Sequence, residues 1–301
     1  MSQFKSGFVA LIGRPNVGKS TLLNALIGEK LVITSPRPQT TRNAIRCIRT
    51  DDTSQMVFVD TPGIHQPQNK LDEAMKQAIK DTLEDVDVVL YLIDGSAKKT
   101  YPEDQYIQRI VRKMKTPVIL VINKIDQFSK PALLEKIDQA KSQDIYREII
   151  PISAVKRDGV DTLIERIQAI LPEGPMYFPD DMVIDQSERF IVSEIIREKA
   201  LNHLRDEVPH GIAVEVTKMH PRKGKHGKTV VDIEADIQCE KKSHKGIVIG
   251  KGGSMLKAIG SDARQDIEAF LSQKVNLQLW VKVRQKWRED DMALKDLGYR
   301  Y

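Results

Sequence analysis

Gly13-Arg14-Pro15-Asn16-Val17-Gly18-Lys19-Ser20 fits the template Gly-x-x-x-x-Gly-Lys-Ser. Its flanks give the template physical meaning, because the apolar run Phe8-Val9-Ala10-Leu11-Ile12 precedes it and Thr21-Leu22-Leu23-Asn24-Ala25-Leu26-Ile27 follows. A strand that turns through a glycine loop into a helix points successive N–H groups inward, where they cradle a β-phosphate. Lys19 then reaches the β/γ oxygens and Ser20 offers its hydroxyl to Mg²⁺. Gly13, Arg14, Pro15, Asn16, Val17, Gly18, Lys19, Ser20 and Thr21 form the expected phosphate-binding set.

The base is read from a second site. Asn123-Lys124-Ile125-Asp126 follows the apolar run 117–122, so it lies at the carboxyl end of a strand, where ligands of open α/β sheets bind. Asp126 can accept from both N1–H and the exocyclic amino group of guanine, and adenine offers neither there. Between the two sites lies Asp60-Thr61-Pro62-Gly63, ending the apolar run 55–59. Asp60 is placed to hold Mg²⁺ through a water and the Gly63 N–H to contact a γ-phosphate. In the polar loop 33–42 one threonine completes the metal site. Thr41 is favoured, with Thr40 the alternative. Ser153, Ala154 and Val155, after the last apolar run, would cap guanine O6 with a backbone N–H.

In this order the motifs resemble the translation-factor-type regulatory GTPases. The resemblance implies GTP and GDP as ligands, Mg²⁺ as cofactor, and Lys19, Asn16 and Thr41 as the catalytic set. Many signalling members carry a glutamine after the Asp-x-x-Gly glycine to orient the attacking water. This chain has Ile64, which cannot do that, and His65 beside it is expected to be a solvated loop residue. Related GTPases with an apolar residue at that position use an asparagine such as Asn16 to help hold K⁺ beside the phosphates. Slow intrinsic hydrolysis, accelerated by a partner or a monovalent cation, is the consequence.

The chain has 301 residues, more than one nucleotide domain of about 170 requires, so a second domain is expected. Apolar residues make up 41% and charged residues 30%, and no apolar run nears the ~18 residues of a membrane span. Met1–Phe8 leads straight into the first apolar run, without a secretory leader, so a cytoplasmic location is expected. The two cysteines, Cys47 and Cys239, fall in different predicted strands, as reduced packing residues. Apolar runs alternate with helical patterns up to residue 171, which predicts a doubly wound, mostly parallel α/β sheet whose strand 43–49 runs antiparallel to 55–60. Prolines at 172, 175 and 179 mark residues 172–181 as a linker between a domain at 1–171 and a second at 182–301.

Beyond the linker the pattern predicts α-β-β-α-α-β: helix 186–205, strands 211–219 and 229–238, helices 243–249 and 254–271, and strand 275–283. Ile249-Gly250-Lys251-Gly252-Gly253 lies between the two later helices. This loop and element order resemble the KH domain of type II, a small α+β fold in which a Gly-x-x-Gly loop clamps about four single-stranded nucleotides. Basic stretches support a phosphate-tracking groove: Lys218 to Lys228 with Arg222 and Lys223, Lys241 to Lys251 with Lys245, and Lys282 to Arg288 with Trp287 interleaved. The overall charge is only +5, so the basicity is local.

A phosphate-loop GTPase followed by a KH domain resembles a family of bacterial ribosome-assembly GTPases. That resemblance implies a monomer binding small-subunit ribosomal RNA near its 3′ end and assisting 30S subunit maturation. Basic stretches also attract anionic lipid, so weak peripheral contact with the inner membrane is a rival expectation, as is action on another RNA.

Overall fold

The computed structural model describes residues 4–299 apart from 36, 38, 98 and 224–228. The chain divides into two compact units, Met1–Val32 with Thr41–Gln68 and Asp72–Asp185, and Ile33–Thr40 with Asn69–Leu71 and Gln186–Tyr301.

The first unit alternates strands and helices: β1 (Lys5–Ile12), α1 (Lys19–Ile27), β2 (Ile45–Thr50), β3 (Ser54–Asp60), α2 (Lys70–Glu84), β4 (Val88–Asp94), α3 (Pro102–Val111), β5 (Val118–Asn123), α4 (Lys130–Lys141), β6 (Glu148–Pro151) and α5 (Val160–Ile170). The strands form one sheet in the order β2-β3-β1-β4-β5-β6, and only β2 is antiparallel to its neighbour. β3 and β5 are buried at every position, because helices cover both faces of a parallel sheet. Each fully buried Val, Leu or Ile there contributes about 1.5–3 kcal/mol. Register brings the strand ends together: Leu11 pairs with Asp60 and with Leu90, and Asp94 with Asn123. The loops leaving β1, β3, β4 and β5 therefore open on one edge.

Residues 172–181, expected as a linker, are stitched to this sheet instead. Gly174 N–H donates to Phe4 O at 3.1 Å, and the N–H groups of Tyr177 and Phe178 donate to Gln55 Oε1 at 2.7 and 3.0 Å. Ile48 N–H donates to Val183 O at 2.9 Å. The prolines stop the helix, but the segment after it satisfies polar groups of β1, β2 and β3, so the compact unit runs to Asp185.

The second unit holds α6 (Glu188–His203), β7 (Ala213–Lys223), β8 (Thr229–Cys239), α7 (Lys242–Ile249), α8 (Ser254–Leu271), β9 (Lys274–Val283) and α9 (Asp291–Asp296). Its sheet is ordered β7-β8-β9, with β7 antiparallel and β9 parallel to β8. α6 and α8 pack together over the strands through Val192, Ile196, Ile259, Ala263 and Ile267, all fully buried. No helical pattern is predicted after β9. α9 forms because Asp290 caps it, accepting from the N–H groups of Met292 and Ala293.

Ile33–Thr40, read as part of the nucleotide-domain loop, belongs to this second unit. Glu198 Oε1 accepts the Thr34 N–H at 2.9 Å, Arg37 donates to Leu204 O at 3.2 Å, and Arg197 donates to Thr40 O. Glu194 pairs with Arg197, so α6 buries charge as well as apolar surface.

Candidate nucleotide and RNA sites

The phosphate loop runs from the end of β1 into α1. Gly18 sits at φ 101°, and a Cβ there would lie 2.3 Å from Asn123 Nδ2, so no side chain fits between the two loops. Lys19 is buried and its ammonium donates to the carbonyls of Gly13 and Arg14, at 3.1 and 3.3 Å. Burial lowers its pKa to about 8, with Asp60 opposing the shift and Arg14 adding to it.

Three hard oxygens meet beside it. Ser20 Oγ lies 2.9 Å from Thr41 Oγ1 and 2.9 Å from Asp60 Oδ2, and Thr41 Oγ1 donates to the same Asp60 oxygen at 2.9 Å. Asp60 is fully buried, and its Oδ1 has no hydrogen-bond partner among the described residues. Burial pushes the Asp60 carboxyl up, against the pull of Lys19, Ser20 and Thr41. A buried orphan carboxylate oxygen beside two hydroxyls is an oxygen donor set that fits Mg²⁺. Thr40 is not in this cluster, for its hydroxyl donates to Arg37 O at 2.7 Å in the other unit.

Thr61 is buried, donating to Leu11 O at 2.6 Å, and a Cβ on Gly63 would meet Pro15 at 2.9 Å. Pro62 between them is buried as well. Ile64 packs into the hydrophobic core, and its N–H donates to Gly13 O at 3.1 Å. His65 is not the solvated residue expected: Nδ1 lies 2.8 Å from Gly63 O and Nε2 3.2 Å from the buried Asp72 carboxylate. The Asp72 hydrogen bond is the main cause that raises the His65 pKa.

The base loop is braced against the phosphate loop. Asn123 is buried, donates to Val17 O at 2.8 Å, and accepts the N–H groups of Lys124 and Ala154 at 2.8 and 3.1 Å. The Ala154 N–H, expected at the base, thus faces Asn123 here. Lys124 Nζ donates to Asn16 O at 3.0 Å. Asp126 is exposed and accepts the Ser153 hydroxyl at 2.6 Å, which is the main cause holding its carboxyl below the usual range. Val155, 78% exposed, sits on the same rim. Asn16, also exposed, has φ 64° at the loop tip. Asp94 and Asp104 were missed from the sequence, although Asp94 ends a strand in the row that holds Asp60 and Asn123.

In the second unit α7 ends at Ile249 and the loop Gly250–Gly253 turns into α8. Gly250, Gly252 and Gly253 have φ of 73°, 60° and 81°. A Cβ on Gly250 would strike Met255 at 2.7 Å, whereas Gly252 has nothing within 4 Å. Gly250 is there for packing, and Gly252 leaves the backbone open to a close-approaching strand. Lys245 and Lys251 are exposed and make no ion pair among the described residues.

Other expected RNA contacts are arranged differently. Arg222 is paired with Asp232 at 2.5 Å, Lys223 ends β7 exposed, and Lys225 and Lys228 lie outside the described residues. Trp287, read as interleaved in a basic patch, is fully buried. It donates to Gly211 O at 3.0 Å and stacks on Tyr299. Lys282, Arg284 and Arg288 around it pair with Asp236, Asp296 and Glu240. Among the described residues no helix is long and apolar enough to cross a membrane.

Residues 8–124 match the family model of the 50S ribosome-binding GTPase, and residues 207–288 match that of the KH domain. The chain is 53% identical to GTPase Era of Alkaliphilus metalliredigens over 98% of its length and 99% of the relative's. It is 54% identical to GTPase Era of Clostridium botulinum strain Kyoto, over 99% of both chains. Among solved structures it is similar to Era in complex with MgGDPNP and nucleotides 1506-1542 of 16S ribosomal RNA, with TM-score 0.95 and 40% identity over 99% of this chain and 100% of that one. A variant of Aquifex aeolicus Era bound to GDP.AlF4- is similar too, with TM-score 0.94 and 40% identity over the same shares.

Proposed function

The chain belongs to the Era family of GTPases, and from that premise we propose that it is a guanine-nucleotide switch that clamps single-stranded small-subunit ribosomal RNA near its 3′ end and assists 30S maturation. The observation that carries the nucleotide half is the oxygen cluster of Ser20, Thr41 and Asp60 beside the buried ammonium of Lys19. Bound Mg²⁺ would neutralise charge developing between the β- and γ-phosphates. Ser20 and Thr41 would hold it, with Asp60 behind them, and Lys19 would turn from the loop carbonyls to the phosphate oxygens. Asp126 would read guanine, with Asn123 and Lys124 holding its loop against residues 16 and 17.

The side chain at position 64 cannot orient water, because Ile64 is apolar and packed in the core. We therefore assign the missing charge stabilisation to K⁺ held with the help of Asn16, exposed at the loop tip. On the RNA side, the open backbone at Gly252, with exposed Lys251 and Lys245, supports a phosphate clamp in a protein that works in the cytoplasm as a monomer. Crosslinking the GTP-loaded chain to total cellular RNA and sequencing the bound segments tests this reading. The 3′ end of the small-subunit RNA should dominate, and a pool without it would overturn the assignment. Flotation with anionic vesicles should leave the protein in the soluble fraction.

A further inference from the structure

Asp94 closes β4 on the edge of the sheet where the nucleotide loops gather. Its Oδ2 accepts the Lys124 ammonium at 2.8 Å and lies 3.7 Å from the Arg14 guanidinium. Its Oδ1 accepts the N–H and hydroxyl of Ser96, at 2.9 and 2.6 Å, which fixes the direction of the carboxylate. Its side chain is 12% exposed. Burial alone would raise its pKa, but the Lys124 and Ser96 hydrogen bonds outweigh burial and hold the carboxyl below its ordinary range.

The two cations come from different loops. Arg14 belongs to the phosphate loop, where it also lies 3.4 Å from Asp104 and over the ring of Tyr101 at 4.3 Å. Lys124 belongs to the base loop and continues to Asn16 O, the carbonyl of a non-glycine residue in the left-handed region. Asparagine tolerates that conformation at a loop tip, so the Lys124 contact fixes where the Asn16 carbonyl points. A chain of charge-assisted contacts thus runs from Arg14 through Asp94 and Lys124 back to Asn16.

We propose that Asp94 is a positioning residue that locks the phosphate loop and the guanine loop into a single nucleotide-ready arrangement, an inference that rests on the guanine-nucleotide reading above. Asp94→Asn keeps the shape and the Ser96 contacts but removes the charge both cations share. Lys124 then loses its grip on the loop tip, and the base loop that carries Asp126 loosens. Both ends of the nucleotide are affected, so GDP and GTP leave faster alike.

The test is dissociation of fluorescent GDP and GTP from the wild-type chain, Asp94→Asn, Arg14→Gln and the double variant, with GDP measured against inosine diphosphate. Asp94→Asn should speed both dissociation rates roughly tenfold, since charge-assisted hydrogen bonds are about twice as strong as neutral ones. It should also shrink the preference for GDP over inosine diphosphate, which lacks the exocyclic amino group that Asp126 reads. A merely structural ion pair would leave that ratio alone. The double variant should be faster than Asp94→Asn only by what Arg14 loses at Asp104 and Tyr101, and so by less than the product of the two single effects, because both substitutions break the contact to one carboxylate. Should Asp94→Asn not fold, Arg14→Gln carries the test, with about threefold faster release expected. Wild-type release and discrimination in these variants overturn the role of Asp94 alone. A wild-type chain that holds no guanine nucleotide overturns the nucleotide reading and this inference with it.

Discussion

Lys19 is the residue whose chemistry is most exposed to test. Its nucleotide-free pKa of about 8 lies below the ordinary 10.5 because the ammonium is buried. Phosphate binds the protonated form, so GTP affinity should be full below about pH 8 and fall as pH rises through it. Calorimetry in buffers of different ionisation enthalpy should register proton uptake on binding near pH 8.5, roughly half a unit above that pKa. The depressed value also means that the unfolded chain binds more protons between pH 8 and 10.5, so the nucleotide-free protein should gain stability over that window. Lys19→Ala should abolish productive GTP binding without lowering the melting temperature of the nucleotide-free chain. At the base, Asp126→Asn turns one acceptor into a donor, and competition assays should show GTP weakened roughly tenfold or more while xanthosine triphosphate gains. Asn16→Ala should erase K⁺-over-Na⁺ stimulation of hydrolysis and leave nucleotide binding nearly intact; a wild-type rate indifferent to K⁺ would remove that role.

Elements rather than single side chains decide the RNA site. The turn from α7 to α8 needs left-handed backbone at Gly250, Gly252 and Gly253, but only Gly250 is hemmed in by its neighbour Met255. Replacing Lys251 and Gly252 by aspartates meets no neighbour and costs only the left-handed backbone at position 252, which aspartate tolerates, so GTP binding should stay intact while RNA binding is abolished, through charge repulsion and a side chain at the point of backbone approach. RNA affinity and GTP affinity measured on one preparation check this, and unchanged RNA binding would demote the loop to a structural turn. After β9 the outcome is opposite to what a basic run with a tryptophan suggests. Trp287 is core, so Trp287→Ala should cost about 3–5 kcal/mol of stability in urea unfolding. No period in Lys282–Arg288 marks that burial, because the ring is held by Gly211, remote in sequence, and by Tyr299, beyond the next helix.

For the molecule as a whole, a clamp on about four nucleotides predicts a shallow salt dependence. With about 0.7 counterion released per single-strand phosphate, log affinity should fall against log salt with a slope near −3. A slope several times steeper would mean that further cations join the clamp, the exposed Lys223, Lys241 and Lys242 or paired ones such as Arg222 and Lys282 that give up their carboxylates. The order of strands and helices as far as β9, the phosphate loop and the base loop are legible in the sequence, because a backbone cradle, hydrophobic periodicity and glycine turns are encoded over a few consecutive residues. The tertiary structure alone decided the rest. It brought Thr41 rather than Thr40 to Ser20 and Asp60, and tied His65 to Asp72. It stitched residues 172–185 to the sheet edge, placed Ile33–Thr40 in the second unit, and set Asp94 between Arg14 and Lys124. Each of these depends on which distant groups share a buried neighbourhood. Burial turns an ordinary aspartate into a shared anchor and a basic-patch tryptophan into core, and local spacing carries no record of which residues will be buried together.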